Sequence, residues 1–207
     1  MARDASRVLS RALVALVLVG WSTVAHAECA GTPDGSGCLT LPGTCEGDVC
    51  VTPGEFTRVR LKGQAITTTG ELKLGAIVLR GNFETFPPAD VFGAAAGISV
   101  RVTDGLNVDR RADWVPEECV TFPKGGMRCR VDIGERRLKG RFNPTKETPE
   151  IWRYVIRMKR LDIDAPFQAP VTADISHHSG VDRRQSISAC IVDEGTGSLN
   201  CKPSYAP

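Results

Sequence analysis

The sequence predicts an all-β fold: a β-sandwich, Ig-like in style, built from two pseudo-symmetric, internally duplicated halves behind a small cysteine-rich N-terminal segment. Three observations carry this. Apolar residues recur with a period of two, eight cysteines fall in closely spaced pairs, and VDRR occurs twice, at 108–111 and 181–184. A period of two is the spacing of side chains on one face of a strand, and no window sustains a helical stripe.

Residues 1–27 read as a signal peptide. Arg3, Arg7 and Arg11 precede the apolar run ALVALVLV, and Ala25-His26-Ala27 supplies the small-x-small cleavage pattern. The run is far shorter than the roughly 20 residues a bilayer requires. The expectation is an exported chain, 28–207, periplasmic or extracellular, with no transmembrane helix after signal cleavage. Export suits the cysteines, all eight of which follow the signal. Disulfides persist in oxidising compartments, and spacings of C-x8-C, C-x4-C, C-x9-C and C-x10-C do not suit zinc.

Segment 28–54 is rich in Gly and Cys, with little to bury, and reads as a disulfide-held cap. Its four cysteines allow three connectivities, of which local pairing, Cys29–Cys38 and Cys45–Cys50, is the expectation. Two β units follow, 55–134 and 135–207. ISVRVTDGLNVDRR (98–111) lies over VTADISHHSGVDRR (171–184) without a gap, and RLKG recurs at 60–63 and 137–140. The order RLKG, VDRR, Cys, Cys is kept in both units, the mark of a duplication.

Within the units, ELKLGAIVL (71–79) reads as a central strand and PADVFGAAAG (88–97) as a loop with one short helical turn. Ile98, Val100 and Val102 share a strand face, as do Met127, Cys129, Val131 and Ile133. In EIWRYVIRMKRLDI, Trp152, Tyr154, Ile156 and Met158 face one way, and Arg153, Arg157 and Lys159 the other. Placing Cys119 opposite Cys129 leaves Pro123-Lys124-Gly125 as a turn. Cys190 opposite Cys201 leaves 194–197, so each unit closes in a stapled hairpin.

Charge is the clearest functional signal. The chain after the signal holds 23 basic and 23 acidic residues, yet Lys124 to Arg160 contains 12 Lys/Arg against 4 Asp/Glu. Arg137, Lys139 and Arg141 share one parity of their strand. With Arg153, Arg157 and Lys159 they form one basic face if the two strands are neighbours. Such a face suits an anionic polysaccharide, a lipid A-type phosphate or an anionic envelope surface. Nucleic acid is not expected, because Trp152 and Tyr154 fall on the apolar side and leave no stacking platform.

Other chemistry is thin. Thr172, Asp174, Ser176 and His178 align on one strand face and define a secreted-hydrolase alternative, but no nucleophile elbow accompanies them. His177 has the opposite, apolar parity. No cofactor is expected; calcium is the one metal that Asp104, Asn107, Asp109, Asp113 and Asp162-Ile163-Asp164 would suit. Asp109/Arg110 and Asp182/Arg183 read as ion pairs or turn contacts at matching corners, and Trp114 as a plug at the end of the sandwich. The sequence thus points to an exported, non-enzymatic, disulfide-stabilised β protein with a structural or binding role.

Overall fold

The computed structural model describes residues 29–88, 90–177 and 181–203; the signal segment and His178 lie outside them. The strands are β1 (Thr44–Glu46), β2 (Val49–Lys62), β3 (Ala65–Ile66), β4 (Leu72–Lys73), β5 (Gly75–Glu84), β6 (Ile98–Thr103), β7 (Asp109–Trp114) and β8 (Cys119–Thr121). They continue as β9 (Met127–Ile133), β10 (Arg136–Pro144), β11 (Ile151–Leu161), β12 (Val171–Ser176), β13 (Val181–Ile187), β14 (Cys190–Asp193) and β15 (Ser198–Cys201). One 3-10 turn, Pro116–Glu118, completes the described elements. Among the described residues, no helix is long and apolar enough to cross a membrane.

Thirteen strands form one mixed sheet in the order β7-β6-β12-β13-β2-β5-β11-β10-β9-β8, with β1 and β15 also on β2 and β14 on β15. The sheet curls until β7 approaches β9, so the fold is a nearly closed barrel where the sequence led us to expect a sandwich of separate sheets. The difference comes from β2. Over Cys50–Pro53 it pairs in parallel with β13, and over Gly54–Lys62 it pairs antiparallel with β5. A strand long enough to change partners joins what would otherwise be two sheets.

The repeated segments are hairpins in matching register. Ile98 lies opposite Trp114 in β6–β7, and Val171 opposite Ile187 in β12–β13. The two hairpins meet where Arg101 faces Asp174. In the other half, Leu61 faces Ile77 and Leu138 faces Met158, and the two pairs meet at Ile77 opposite Met158. A single apolar core draws on both units, from Phe56, Leu79 and Val100 to Phe142, Ile156 and Ile175.

Two strand readings shift. The 71–79 segment is not one strand: a two-stranded hairpin, β3–β4, turns at Gly70 (φ 81°), and the central strand begins at Gly75. The described residues of 88–97 carry no helix, and Asp90 and Phe92 among them are buried in the barrel instead. Trp114 does plug the core, packed over Gly140 of the second RLKG.

All four disulfides form. Cys119 faces Cys129 and Cys190 faces Cys201, closing the two hairpins as the spacing requires. The N-terminal pairing is corrected: Cys29 bonds Cys45 and Cys38 bonds Cys50. Cys45 and Cys50 do sit opposite each other in the β1–β2 hairpin, but each sulfur reaches across to the preceding segment. Local pairing would have stapled a hairpin already held by its backbone. The crossed pairing ties residues 29–38 to both strands of the β1–β2 hairpin, against Val181 and Phe86.

A Cβ added at Gly140 would lie 2.8 Å from the Phe142 ring and 3.2 Å from the Trp114 ring. Gly140→Ala should therefore destabilise the fold by about 1–3 kcal/mol through overpacking, read as a lowered urea midpoint with unchanged m-value.

Candidate functional site

Cross-strand partners share a face of a sheet, so the registers fix which charges gather. On β10 and β11, Arg137 faces Lys159 and Lys139 faces Arg157, while Arg141 lies opposite Val155 and Arg153 opposite Asn143. The six cations singled out from parity alone thus stand on one outward face, opposite the buried Leu138, Phe142, Tyr154, Ile156 and Met158.

The face is wider than the sequence disclosed. Three rows cross five neighbouring strands, β9, β10, β11, β5 and β2. One row runs Asp132, Arg137, Lys159, Ala76, Lys62; the next Arg130, Lys139, Arg157, Val78, Arg60; the third Arg128, Arg141, Val155, Arg80, Arg58. Eleven cations and one carboxylate share these rows. With strands about 4.8 Å apart, the grid is some 20 Å wide. Arg58, Arg60, Lys62 and Arg80 escape sequence analysis because only the register brings β2 and β5 beside β11.

Ion pairing is uneven. Asp132 pairs with Arg130 at 2.7 Å and Arg137 at 3.2 Å. Among the described residues, no carboxylate lies within ion-pair distance of Arg80, Arg128, Lys139, Arg141, Arg153, Arg157 or Lys159. Lys139 is held below the ordinary lysine value, by partial desolvation first and then by Arg130, Arg137 and Lys159. The opposite half of the sheet pairs most of its cations: Arg101 with Asp109, Arg111 with Asp113, and Arg184 with Asp174 and Glu46.

A cavity flanks each end of the face. At the Arg141 end, Phe122, Pro123, Lys124, Arg141, Pro144 and Lys146 line about 460 Å³. At the Lys159 end, Lys62, Leu72, Leu74, Lys159 and Arg160 line about 370 Å³, with Glu135 as the acid.

The two VDRR copies have different fates. Arg183 is 1% exposed and forms an ion pair with Asp90, itself fully buried, inside the barrel. Its guanidinium also lies 3.0 Å from His177 Nδ1 and over the rings of Phe83 and Phe92. Burial pulls Arg183 below its ordinary pKa, with Asp90 the counterweight. The corresponding Arg110 stays at the surface, donating to the backbone carbonyls of Asp109 and Asp162. Arg183 has the inward parity of Val181 and Ile187, the one trace of this pair in the sequence.

The other candidates come apart. Asp174 of the Thr172, Asp174, Ser176 row is engaged by Arg184, Thr172 by Ser186, and His178 lies outside the described residues. Asp104 accepts from the backbone N–H of Leu106, Asn107, Val108 and Gln168, while Asp109 and Asp113 turn to arginines. The three carboxylates of the loop face separate partners rather than one point. Cys29, Cys38 and Cys50 form the compact group of metal-type ligands among the described residues, and all three are disulfide-bonded. Comparison of the chain with protein-family models, curated proteins and solved structures finds no match.

Removing one partner of a buried pair strands the other charge. Asp90→Ala should cost about 3–5 kcal/mol in denaturant unfolding, against at most about 1 kcal/mol for the exposed Asp113→Ala. Asp104 supplies a pH test. Partial burial raises its pKa, but the four backbone donors outweigh it and hold the carboxyl below its unfolded value of 3.8. Its contribution is complete above that value and is lost as pH falls through the lower folded one. Asp104→Asn should cost on the order of 1 kcal/mol at neutral pH and flatten the acid limb of the stability curve.

Proposed function

We propose that this chain is an exported, non-enzymatic module that binds an anionic polymer or surface through the outward face of β9, β10, β11, β5 and β2. One observation carries the reading: like charges stand directly opposite one another in five cross-strand pairs, Arg137–Lys159, Arg130–Lys139, Lys139–Arg157, Arg128–Arg141 and Arg58–Arg80. Directly opposed like charges destabilise a sheet, and Asp132, on Arg130 and Arg137, is the one acid within the rows that relieves any of them. A local conflict of that kind is expected at a functional surface, where a ligand supplies the missing charge. Arginine predominates in the grid, and its planar fork suits the paired oxygens of carboxylate, sulfate and phosphate.

Four disulfides and the even cysteine count support export, since such bonds persist outside the reducing cytosol. The matching registers of the two hairpins, and of β2–β5 with β10–β11, support an origin by duplication, with two pseudo-symmetric halves fused into one barrel. In this reading one half kept most of its cations unpaired, and the other came to pair most of its own.

Dextran sulfate, with neutral dextran as control, is the direct test. Binding of the former alone is expected, with affinity falling steeply as salt rises; each ionic contact contributes about 0.7–0.9 to the log–log slope. Lys139→Glu with Arg157→Glu should weaken binding by at least about tenfold and flatten that slope, while Arg101→Glu should leave both unchanged. Affinity should also decline as pH rises, beginning below the ordinary lysine value of 10.5 because Lys139 gives up its proton early. Equal binding to both dextrans, or none to either, would overturn the proposal.

A further inference from the structure

At one end of the cationic face the chain departs from the barrel. After β2 it runs into the β3–β4 hairpin, a separate two-stranded sheet, before returning as β5. Ile66 and Leu72 lie directly opposite each other in this hairpin and are 76% and 60% exposed. A two-stranded hairpin gains little stability of its own, and two large aliphatic side chains held side by side in water contribute nothing to the core.

The hairpin is joined to the charges. Leu72 lines the same cavity of about 370 Å³ as Lys62, Lys73, Lys159 and Arg160. Lys62 and Lys159 belong to the first row of the grid, on either side of Ala76. Arg160 sits in a bulge of β11 with φ 58°, the described non-glycine residue in the left-handed region. Bulges re-aim side chains, and a left-handed arginine is strain that glycine would relieve, so an arginine at this position points to use of the side chain. Four cations and one acid, Glu135, thus line the cavity that Leu72 borders, with Ile66 opposite Leu72 on the hairpin.

A soluble polyanion matches the cations but has no place for Ile66 and Leu72. An anionic bilayer matches both, offering phosphates at its surface and an apolar layer just beneath. We infer that this end of the face docks on an anionic lipid bilayer, with Lys62, Lys73, Lys159 and Arg160 on headgroup phosphates and Ile66 and Leu72 entering the interface. The inference rests on the polyanion reading above and names the surface it serves.

Vesicle co-sedimentation of the full chain tests it, with phosphatidylcholine vesicles that contain or lack phosphatidylglycerol, and dextran sulfate binding measured alongside. The chain should sediment with the phosphatidylglycerol vesicles alone. Ile66→Asp and Leu72→Asp should each lower partitioning by about tenfold or more, the scale of losing one buried aliphatic side chain, with dextran sulfate binding kept. Arg160→Gly should lower vesicle binding with an unchanged or raised Tm, which separates loss of contact from loss of fold. Dextran sulfate binding without vesicle binding, or vesicle binding indifferent to Ile66→Asp and Leu72→Asp, would overturn the inference and leave the polyanion reading intact. Loss of both would overturn both. A concentration-dependent dimer in sedimentation equilibrium, abolished by Ile66→Asp, would reassign the hairpin to a second copy of the chain.

Discussion

Strand β2 takes part in pairings with β1, β13, β5 and β15, and the continuity of the sheet depends on those backbone hydrogen bonds. Buried peptide groups must be satisfied, and a sheet edge is where they are not. By pairing in parallel with β13 and then antiparallel with β5, β2 removes two edges that a pair of separate sheets would expose. The cap uses the same strand: Cys50 lies on β2 and is tied to Cys38, so the N-terminal segment is anchored where the two halves of the barrel join.

Once the sheet is continuous, alternation decides the rest. Every strand that presents a large apolar residue inward presents the next residue outward, and on β9, β10 and β11 those outward positions are mostly Lys or Arg. Two neighbouring basic strands would be tolerable at an edge. Here they lie between β5 and β9, so repulsion accumulates from both sides of Lys139. Several acids are committed elsewhere, to Arg101, Arg111, Arg184 and the backbone donors around Asp104. The asymmetry of the barrel is therefore electrostatic more than architectural.

The interior shows how two copies of one tetrapeptide diverge. Both VDRR segments point their first arginine to the same side of the strand, because strand parity is the same in each. Arg183 meets Asp90 and the Phe83 and Phe92 rings and becomes part of the core. Arg110 meets only carbonyl oxygens at the surface. The segment between β5 and β6 makes the difference, since Asp90 and Phe92 descend from it into the barrel, and Phe92 contacts Phe83, Phe142, Trp152 and His177.

Local spacing was enough to determine the strand character, the two stapled hairpins, the inward turn of His177 and the shared parity of Arg137, Lys139 and Arg141 on one strand and of Arg153, Arg157 and Lys159 on another. Each depends on residues within one strand or one hairpin, where period two and turn chemistry act directly. Only the tertiary structure decided the closure of the sheet, the crossed Cys29–Cys45 and Cys38–Cys50 bonds, the partnership of Arg183 with Asp90 and the addition of Arg58, Arg60, Lys62 and Arg80 to the basic face. These depend on which strands become neighbours. That choice is made by long-range pairing and shared core volume, neither of which leaves a periodic trace along the chain.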